Sequence, residues 1–312
     1  MNIAQNSHQA PLISVIVPCY NHARFLEERM ESILGQTYQN IEVIILDDCS
    51  TDNSREIIER YRQDKRVTHI VYNEVNTGKP FLQWRKGMEL AKGEICWIAE
   101  SDDSCDKRML ERLVKEYTDN NCVYAFCRLL FTNEDGDVTG MGQGGLGKDT
   151  VTCWDGKAFI NRHLHRGNFV CNASGCIFSR EEALSVNRQY EGYKGSGDWL
   201  FWIEMAEKGR VSFDNRAMNY CRRHGDNVTE RNYSNGVDML EDYTIMQYCY
   251  QSGLITKRQQ QMMQRDRILT YLYYPFDTNA IRKHVLKVWG YRGITRLRVF
   301  FWRAFTSLAA RV

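Results

Sequence analysis

The feature that most constrains this 312-residue chain is a strand–helix alternation, repeated four times in the first ~105 residues. Ile13-Ser-Val-Ile-Val-Pro18 is a nearly continuous apolar run, the pattern of a strand buried on both faces. Phe25, Leu26, Met30, Ile33 and Leu34 follow at helical spacing and stop at Gly35. Ile41–Leu46 reads as a second buried strand, and Thr51-Asp-Asn-Ser54 offers caps for a helix from Arg55 to Arg62. Val67–Tyr72 is a third strand. A helix from about Lys79 to Ala91 ends at Gly93, and Ile95–Ala99 is the fourth strand. This order predicts an α/β fold with a mostly parallel central sheet and helices on both faces. Ligands of such open sheets sit at the carboxyl ends of the strands. Polar clusters fall at three of those ends: Tyr20-Asn21, Asp47-Asp48 and Asp102-Asp103.

Beyond a helix near Asp106–Tyr117 the pattern loosens. Val123–Thr132 reads as a strand and Asn133–Gly136 as a turn. Met141–Gly147 reads as a mobile loop, because it lacks the spacing of a phosphate-cradling glycine loop. Helix, strand and helix run from Trp154 to about Asn187. A glycine-rich turn over 192–197 leads into Asp198 and a helix to about Lys208. Met218–Tyr220 is strand-like, and the chain reads as helical from about Asn235.

Composition removes several function classes. Lys and Arg total 41 against 39 Asp and Glu, a formal charge of +2, so a nucleic-acid-coating surface is not expected. The 11 cysteines include no Cys-x-x-Cys pair, which disfavours structural zinc and predicts buried thiols in a reducing compartment. No apolar run reaches the ~20 residues that span a bilayer, and the first residues lack a secretory pattern. A cytoplasmic location is therefore expected. Asn172-Ala-Ser174 and Asn227-Val-Thr229 match the N-glycosylation pattern but carry little weight in such a chain.

The strand-end acids admit two readings each. Asp102 and Asp103 repel unless a cation lies near, and hard oxygens suit Mg2+ or Mn2+ bound to a diphosphate; the same pair also suits a helix start. Asp47-Asp48 offers acceptors for a base or ribose, or for a turn and cap. Asp198, beside Trp199–Trp202, suits a general base or an N-cap. Arg222-Arg223-His224 suits a diphosphate and its metal, or a solvated basic turn.

The order of these motifs resembles the family 2 glycosyltransferases. The resemblance is carried by ISVIVPCYN (13–21), SILGQTY (32–38), EVIILDDCSTD (42–52), Asn76-Thr-Gly78, GMELAKGE (87–94), IAESDD (98–103), Gly197-Asp198-Trp199 and YCRRHGDNVT (220–229). It covers residues ~11–230. It implies a GT-A fold, a Rossmann-like sheet that binds a nucleotide-sugar, a divalent metal (Mn2+ or Mg2+) and inversion at the anomeric carbon. It also implies roles for individual positions. Pro18, Tyr20, Asn21, Asp48, Gly78, Lys79 and Asp102 match nucleotide-side positions. Asp103 matches the metal ligand and Asp198 the base. His224, with Arg222 or Arg223, matches the part that closes over diphosphate and metal. Two positions depart from the pattern. Glu100 replaces the usual first acid, and Gly197 replaces the usual Glu before the base. The Gln-x-x-Arg-Trp motif of processive synthases is absent, so addition of single sugars to a saccharide or lipid-linked saccharide is expected.

Three alternatives are weaker. A nucleotidyltransferase would carry a basic glycine loop where this chain has Pro18-Cys-Tyr-Asn21-His-Ala, and a dehydrogenase would carry the dinucleotide glycines. An inactive nucleotide-sugar-binding scaffold disagrees with the presence of both Asp103 and Asp198. Residues 231–312 lie outside the resemblance and are expected to be a helical extension. From Thr278 onward there are eight basic and no acidic residues. Ile294, Leu297, Phe301, Phe305 and Leu308 share one helical face, opposite Arg292, Arg296 and Arg303. A basic amphipathic helix of this kind is expected to hold the protein peripherally on an anionic membrane surface.

Overall fold

A computed structural model describes residues 10–143, 150–225, 232 and 234–291. The chain forms two compact units, Met1–Asp226 and Asn227–Val312.

The first unit is built on the expected alternation. Strands β1 (Ile13–Cys19), β2 (Ile41–Asp47), β3 (Val67–Tyr72) and β4 (Ile95–Ile98) are linked by α1 (Ala23–Leu34), α2 (Ser54–Arg60) and α3 (Pro80–Leu90). They lie side by side as β3-β2-β1-β4, all parallel. Every residue of β1, β2 and β4 is buried, which explains why their sequences show no polar alternation. Helix α1 covers one face with Phe25, Leu26, Met30 and Ile33, spaced for a single stripe.

The remaining elements are β5 (Ser104–Cys105), α4 (Met109–Asp119), β6 (Cys122–Thr132), β7 (Val138–Met141) and β8 (Val151–Asp155), then α5 (Gly156–Arg162), β9 (Cys176–Ser179), α6 (Arg180–Ser185), α7 (Gly197–Ala206) and β10 (Arg210–Arg222). Strand β9 runs antiparallel between β4 and β6, and β10 lies parallel to β6. Short β5, β7 and β8 add antiparallel edges. The 13-residue β10 is visible in the sequence only at its end, Met218–Tyr220. Its register breaks between Asp214 and Ala217, where a polar bulge interrupts the apolar pattern. Strands β7 and β8 have no fully buried residue, so nothing in their composition marks them as strands.

Strand β1 pairs with β2 along its whole length but with β4 only as far as Ile16, opposite Ile98. The two strands part there, at the point where the sheet order reverses, which is where open α/β sheets form their ligand crevice. Pro18 stands just past the parting, so its missing N–H leaves no β4 acceptor unpaired.

The second unit contains three described helices, α8 (Val237–Gln251), α9 (Lys257–Tyr273) and α10 (Asn279–Val288). Trp289 is fully buried among them, beside Tyr243 and Tyr271, and its indole N–H donates to the Met239 carbonyl at 2.8 Å. The amphipathic stretch from Ile294 to Leu308 lies outside the described residues, as do most of the glycine loop over 141–147 and the second glycosylation pattern at Asn227. No described helix is long and apolar enough to cross a membrane.

Candidate active site

The crevice collects side chains from three strand ends. After β1 come Tyr20, Asn21 and His22. Asn21 adopts φ 56°, and its amide oxygen accepts from the Thr51 N–H at 2.8 Å, which ties this turn to the one after β2. Tyr20 is 41% exposed and open to a ligand. After β2, Asp47 accepts from Arg55 at 2.7 Å. Asp48 is buried and already well supplied with donors. Its carboxylate accepts from Asn73 Nδ2 at 2.7 Å, Thr77 Oγ1 at 2.8 Å and Gln83 Nε2 at 2.9 Å. Asp48 therefore shapes the 73–79 turn, in which Gly78 has φ +60° and Lys79 is exposed.

The acids after β4 have unequal surroundings. Asp103 is 2% exposed, and both its oxygens are taken: Oδ1 accepts from the Arg222 backbone N–H at 3.0 Å and Oδ2 from Asn172 Nδ2 at 2.9 Å. Burial, with the negative charge of Asp102, pushes its carboxyl up to about 6. Asp102 turns instead to His224, whose Nε2 lies 3.1 Å from Oδ2. Burial alone would raise the Asp102 carboxyl, yet it is held below its usual range by the His224 bond and by the two imidazoles, His22 and His224. One ligand atom each from His22, Asp102 and His224 lies within 4.8 Å of the other two. Opposite ligands of a Mg2+-sized ion stand roughly 4.2 Å apart, twice a ~2.1 Å bond, so one cation fits this trio with small adjustments. The expected ligand pair is thus divided: His224 meets Asp102, while Asp103 is committed to internal hydrogen bonds.

Glu100, the departure at the head of the acidic motif, uses its extra methylene to reach α3, where it accepts from Trp84 Nε1 at 3.0 Å. Burial and the neighbouring Asp102 and Asp103 push it up to about 8. Behind the acids lies Arg29 of α1, fully buried over the Trp97 ring at 4.9 Å, with no hydrogen-bond partner for its guanidinium nitrogens. Its charge opposes the rise at both Glu100 and Asp103.

Strand β10 delivers the basic end. Arg222 is buried and pins several segments: Nε donates to the Asp102 carbonyl at 3.0 Å, Nη1 to the Glu134 carbonyl at 2.9 Å, and Nη2 to Glu28 at 2.5 Å. Arg223 is half-buried, with its guanidinium 4.8 Å from the Phe131 ring centroid.

Asp198 lies in the first turn of α7, half-buried, and accepts from Asn168 Nδ2 at 2.6 Å and the Trp199 N–H at 2.7 Å. The preceding Gly197 has a steric cause. A Cβ there would lie 2.5 Å from the Phe81 ring and 2.6 Å from the Tyr190 carbonyl, so a glutamate cannot occupy the position without moving α7.

Three participants were not expected. Asn168 and Asn172, four residues apart, hold Asp198 and Asp103. Asn172 also accepts from the Ser174 N–H at 2.7 Å, and Ser174 is fully buried. The apparent glycosylation pattern is therefore an Asx turn inside the site, the alternative that Asn-x-Ser always offers. The third is His22, whose only sequence signal is its place in the short turn that follows β1.

The glycosyl transferase family 2 model matches residues 14–186. The chain is 35% identical over 211 residues to the putative teichuronic acid biosynthesis glycosyltransferase TuaG of Bacillus subtilis, covering 68% of this chain and 77% of that one. It spans only 52% and 49% of two further curated glycosyltransferases. Among solved structures it is similar to S. aureus TarS 1–349 in complex with UDP-GlcNAc (TM-score 0.59, 20% identity, 88% of this chain and 70% of that one). It is also similar to the mannosyltransferase PcManGT from Pyrobaculum calidifontis in complex with GDP-Man and Mn2+ (TM-score 0.55, 15% identity, 98% and 82%). With the family matched over more than half its length, on a GT-A sheet, the chain belongs to glycosyl transferase family 2 and is a glycosyltransferase.

Proposed function

We propose that the protein transfers one sugar from a nucleotide-sugar, a UDP-sugar by preference, to a hydroxyl of a cell-surface saccharide or lipid-linked saccharide, with inversion. The observation that carries this reading is the crevice itself, which gathers a carboxylate–imidazole pair, Asp102–His224, at the carboxyl ends of β4 and β10. The neighbours solved in complex with UDP-GlcNAc and with GDP-Man and Mn2+ support the donor class. The teichuronic acid relative supports a saccharide acceptor.

In this reading Tyr20, Asn21 and the turn held by Asp48 receive the nucleotide, with Gly78 and Lys79 at its edge. Asp102 and His224 would hold the metal, whereas the family resemblance gives that role to Asp103 together with His224. A divalent cation there supplies positive charge against the departing diphosphate. Arg223 faces the diphosphate, while Arg222 keeps β10 in place for it. Asp198, oriented by Asn168, takes the proton of the acceptor hydroxyl as that oxygen attacks the anomeric carbon from the face opposite the leaving group. The basic stretch from residue 278 supports work at an anionic membrane surface, where a lipid-linked acceptor would be found. The test is nucleotide release across a panel of UDP- and GDP-sugars, with and without Mn2+, and mass detection of the product. Metal-stimulated release with one donor, and an inverted linkage, is the expected result. Release of nucleotide with none of the donors, metal present, would defeat the reading.

A further inference from the structure

His22 has no part in the acidic motif, yet the fold holds it at the mouth of the crevice from several sides. It is the last of three residues between β1 and α1, and its backbone is anchored in both directions. The N–H donates to Ser54 Oγ at 3.1 Å, and the carbonyl accepts from the Phe25 and Leu26 N–H groups at 3.0 Å each. The ring is anchored too, because Nδ1 and Ser101 Oγ share a hydrogen bond of 2.7 Å. Ser101 directly precedes Asp102, so the contact ties the imidazole to the segment that carries the carboxylate. On its other side the ring meets His224 edge-on, with centroids 5.7 Å apart and planes at 87°.

We infer that His22 is the third protein ligand of the divalent cation, and that the resulting set of two imidazoles and one carboxylate makes the site selective for Mn2+ over Mg2+. The inference rests on the reading of Asp102 and His224 as metal ligands and extends it to a residue on a different strand end. Its geometric basis is the mutual 4.8 Å limit that all three ligand atoms satisfy. Its chemical basis is ligand type. Mg2+ keeps its waters and takes oxygen ligands, whereas imidazole nitrogen binds first-row transition ions better. A pair of carboxylates, Asp102 with Asp103, would have suited Mg2+. The structure instead commits Asp103 to Arg222 and Asn172 and offers nitrogen. With Nε2 on the ion, the Nδ1–H donates to Ser101 Oγ, the kind of outer contact that orients a ligating histidine.

The experiment is a Mn2+ titration of the full chain, alone and with UDP or GDP, read by the electron paramagnetic resonance signal of free Mn2+, then repeated with competing Mg2+. The intact protein is expected to bind Mn2+ and to release it only to a large excess of Mg2+. His22→Ala and His22→Gln should each weaken Mn2+ at least ~10-fold, the loss that follows removal of even an outer contact, and should narrow the Mn2+/Mg2+ preference. Their melting temperatures should stay near that of the parent, since the backbone anchors remain. If both variants bind Mn2+ with unchanged affinity and preference while Asp102→Asn does not bind it, His22 is no ligand and the metal reading stands. If the intact protein takes up no Mn2+ under any of these conditions, or Asp102→Asn and His224→Ala take it up normally, both readings fall.

Discussion

Asp102, Asp103 and Asp198 are three carboxylates with three sets of partners, and each set implies a different response to substitution. Asp198→Asn preserves the volume and the contact with Asn168 but removes the proton acceptor of the proposed reaction. Donor binding by calorimetry should persist while turnover drops ~10²–10⁴-fold. Asp102→Asn should lose the metal-dependent part of donor binding and melt close to the parent protein. Asp103→Asn should do the reverse in stability. Its amide presents N–H groups to one of the two donors now bound, Arg222 N–H or Asn172 Nδ2, and leaving a buried donor unpaired costs about 1–3 kcal/mol. A lower melting temperature for Asp102→Asn than for Asp103→Asn would contradict this division. Asp102 and Asp103 were legible in the sequence as acids at a strand end, and Asp198 as a carboxylate on a glycine-rich turn. Which of two adjacent acids faces the crevice was not, because that depends on the backbone turn after β4 and on what β10 brings against it. Asn168, Asn172 and His22 were illegible for the same reason: they act only through partners distant in sequence.

At the scale of elements, Glu42 shows how the parallel half of the sheet is fastened. This buried β2 residue accepts from Ser14 on β1 at 2.6 Å, Thr68 on β3 at 3.0 Å and the Lys92 N–H before β4 at 2.6 Å. Burial alone would raise its carboxyl, but these donors, with the Gly93 N–H, hold it below the usual 4.5. An acid depressed on folding contributes stability that is present above the unfolded value and lost as pH falls through the folded one. Thermal stability should therefore decline as pH drops below about 4.5, the group's ordinary value, and Glu42→Gln should flatten part of that decline. A variant with the same acid profile as the parent would show that Glu42 contributes nothing to it. Strands β1, β2 and β4 were legible because burial on both faces demands continuous apolar runs, and β3, a half-buried edge strand, because of its Val, Ile and Tyr residues. Strands β5, β7 and β8 were not, being short or exposed, and most of β10 was hidden by its polar bulge.

For the whole molecule the net charge of +2 conceals two unlike parts. Residues 1–277 carry 33 Lys and Arg against 39 Asp and Glu, a balance of −6, and residues 278–312 carry +8. Of the eight cations, Arg282, Lys283 and Lys287 lie on α10, which buries Val285 and Leu286. The full chain should float with anionic vesicles at low salt and be released at high salt, since screening weakens such attraction. Removal of residues 290–312 should abolish flotation; a truncated chain that floats equally would place the attraction elsewhere. The sequence by itself determined the layered α/β scaffold and the location of its chemistry at the carboxyl ends of the strands. Buried strands must be apolar, and polar side chains gather where those strands end. Only the tertiary structure decided the partners. Asp102 was set beside His22 and His224, and Asp103 against Arg222 and Asn172, because these partners come to the β4 end from 69 or more residues away, while Asp198 met Asn168 across 30 residues. No local pattern encodes such meetings.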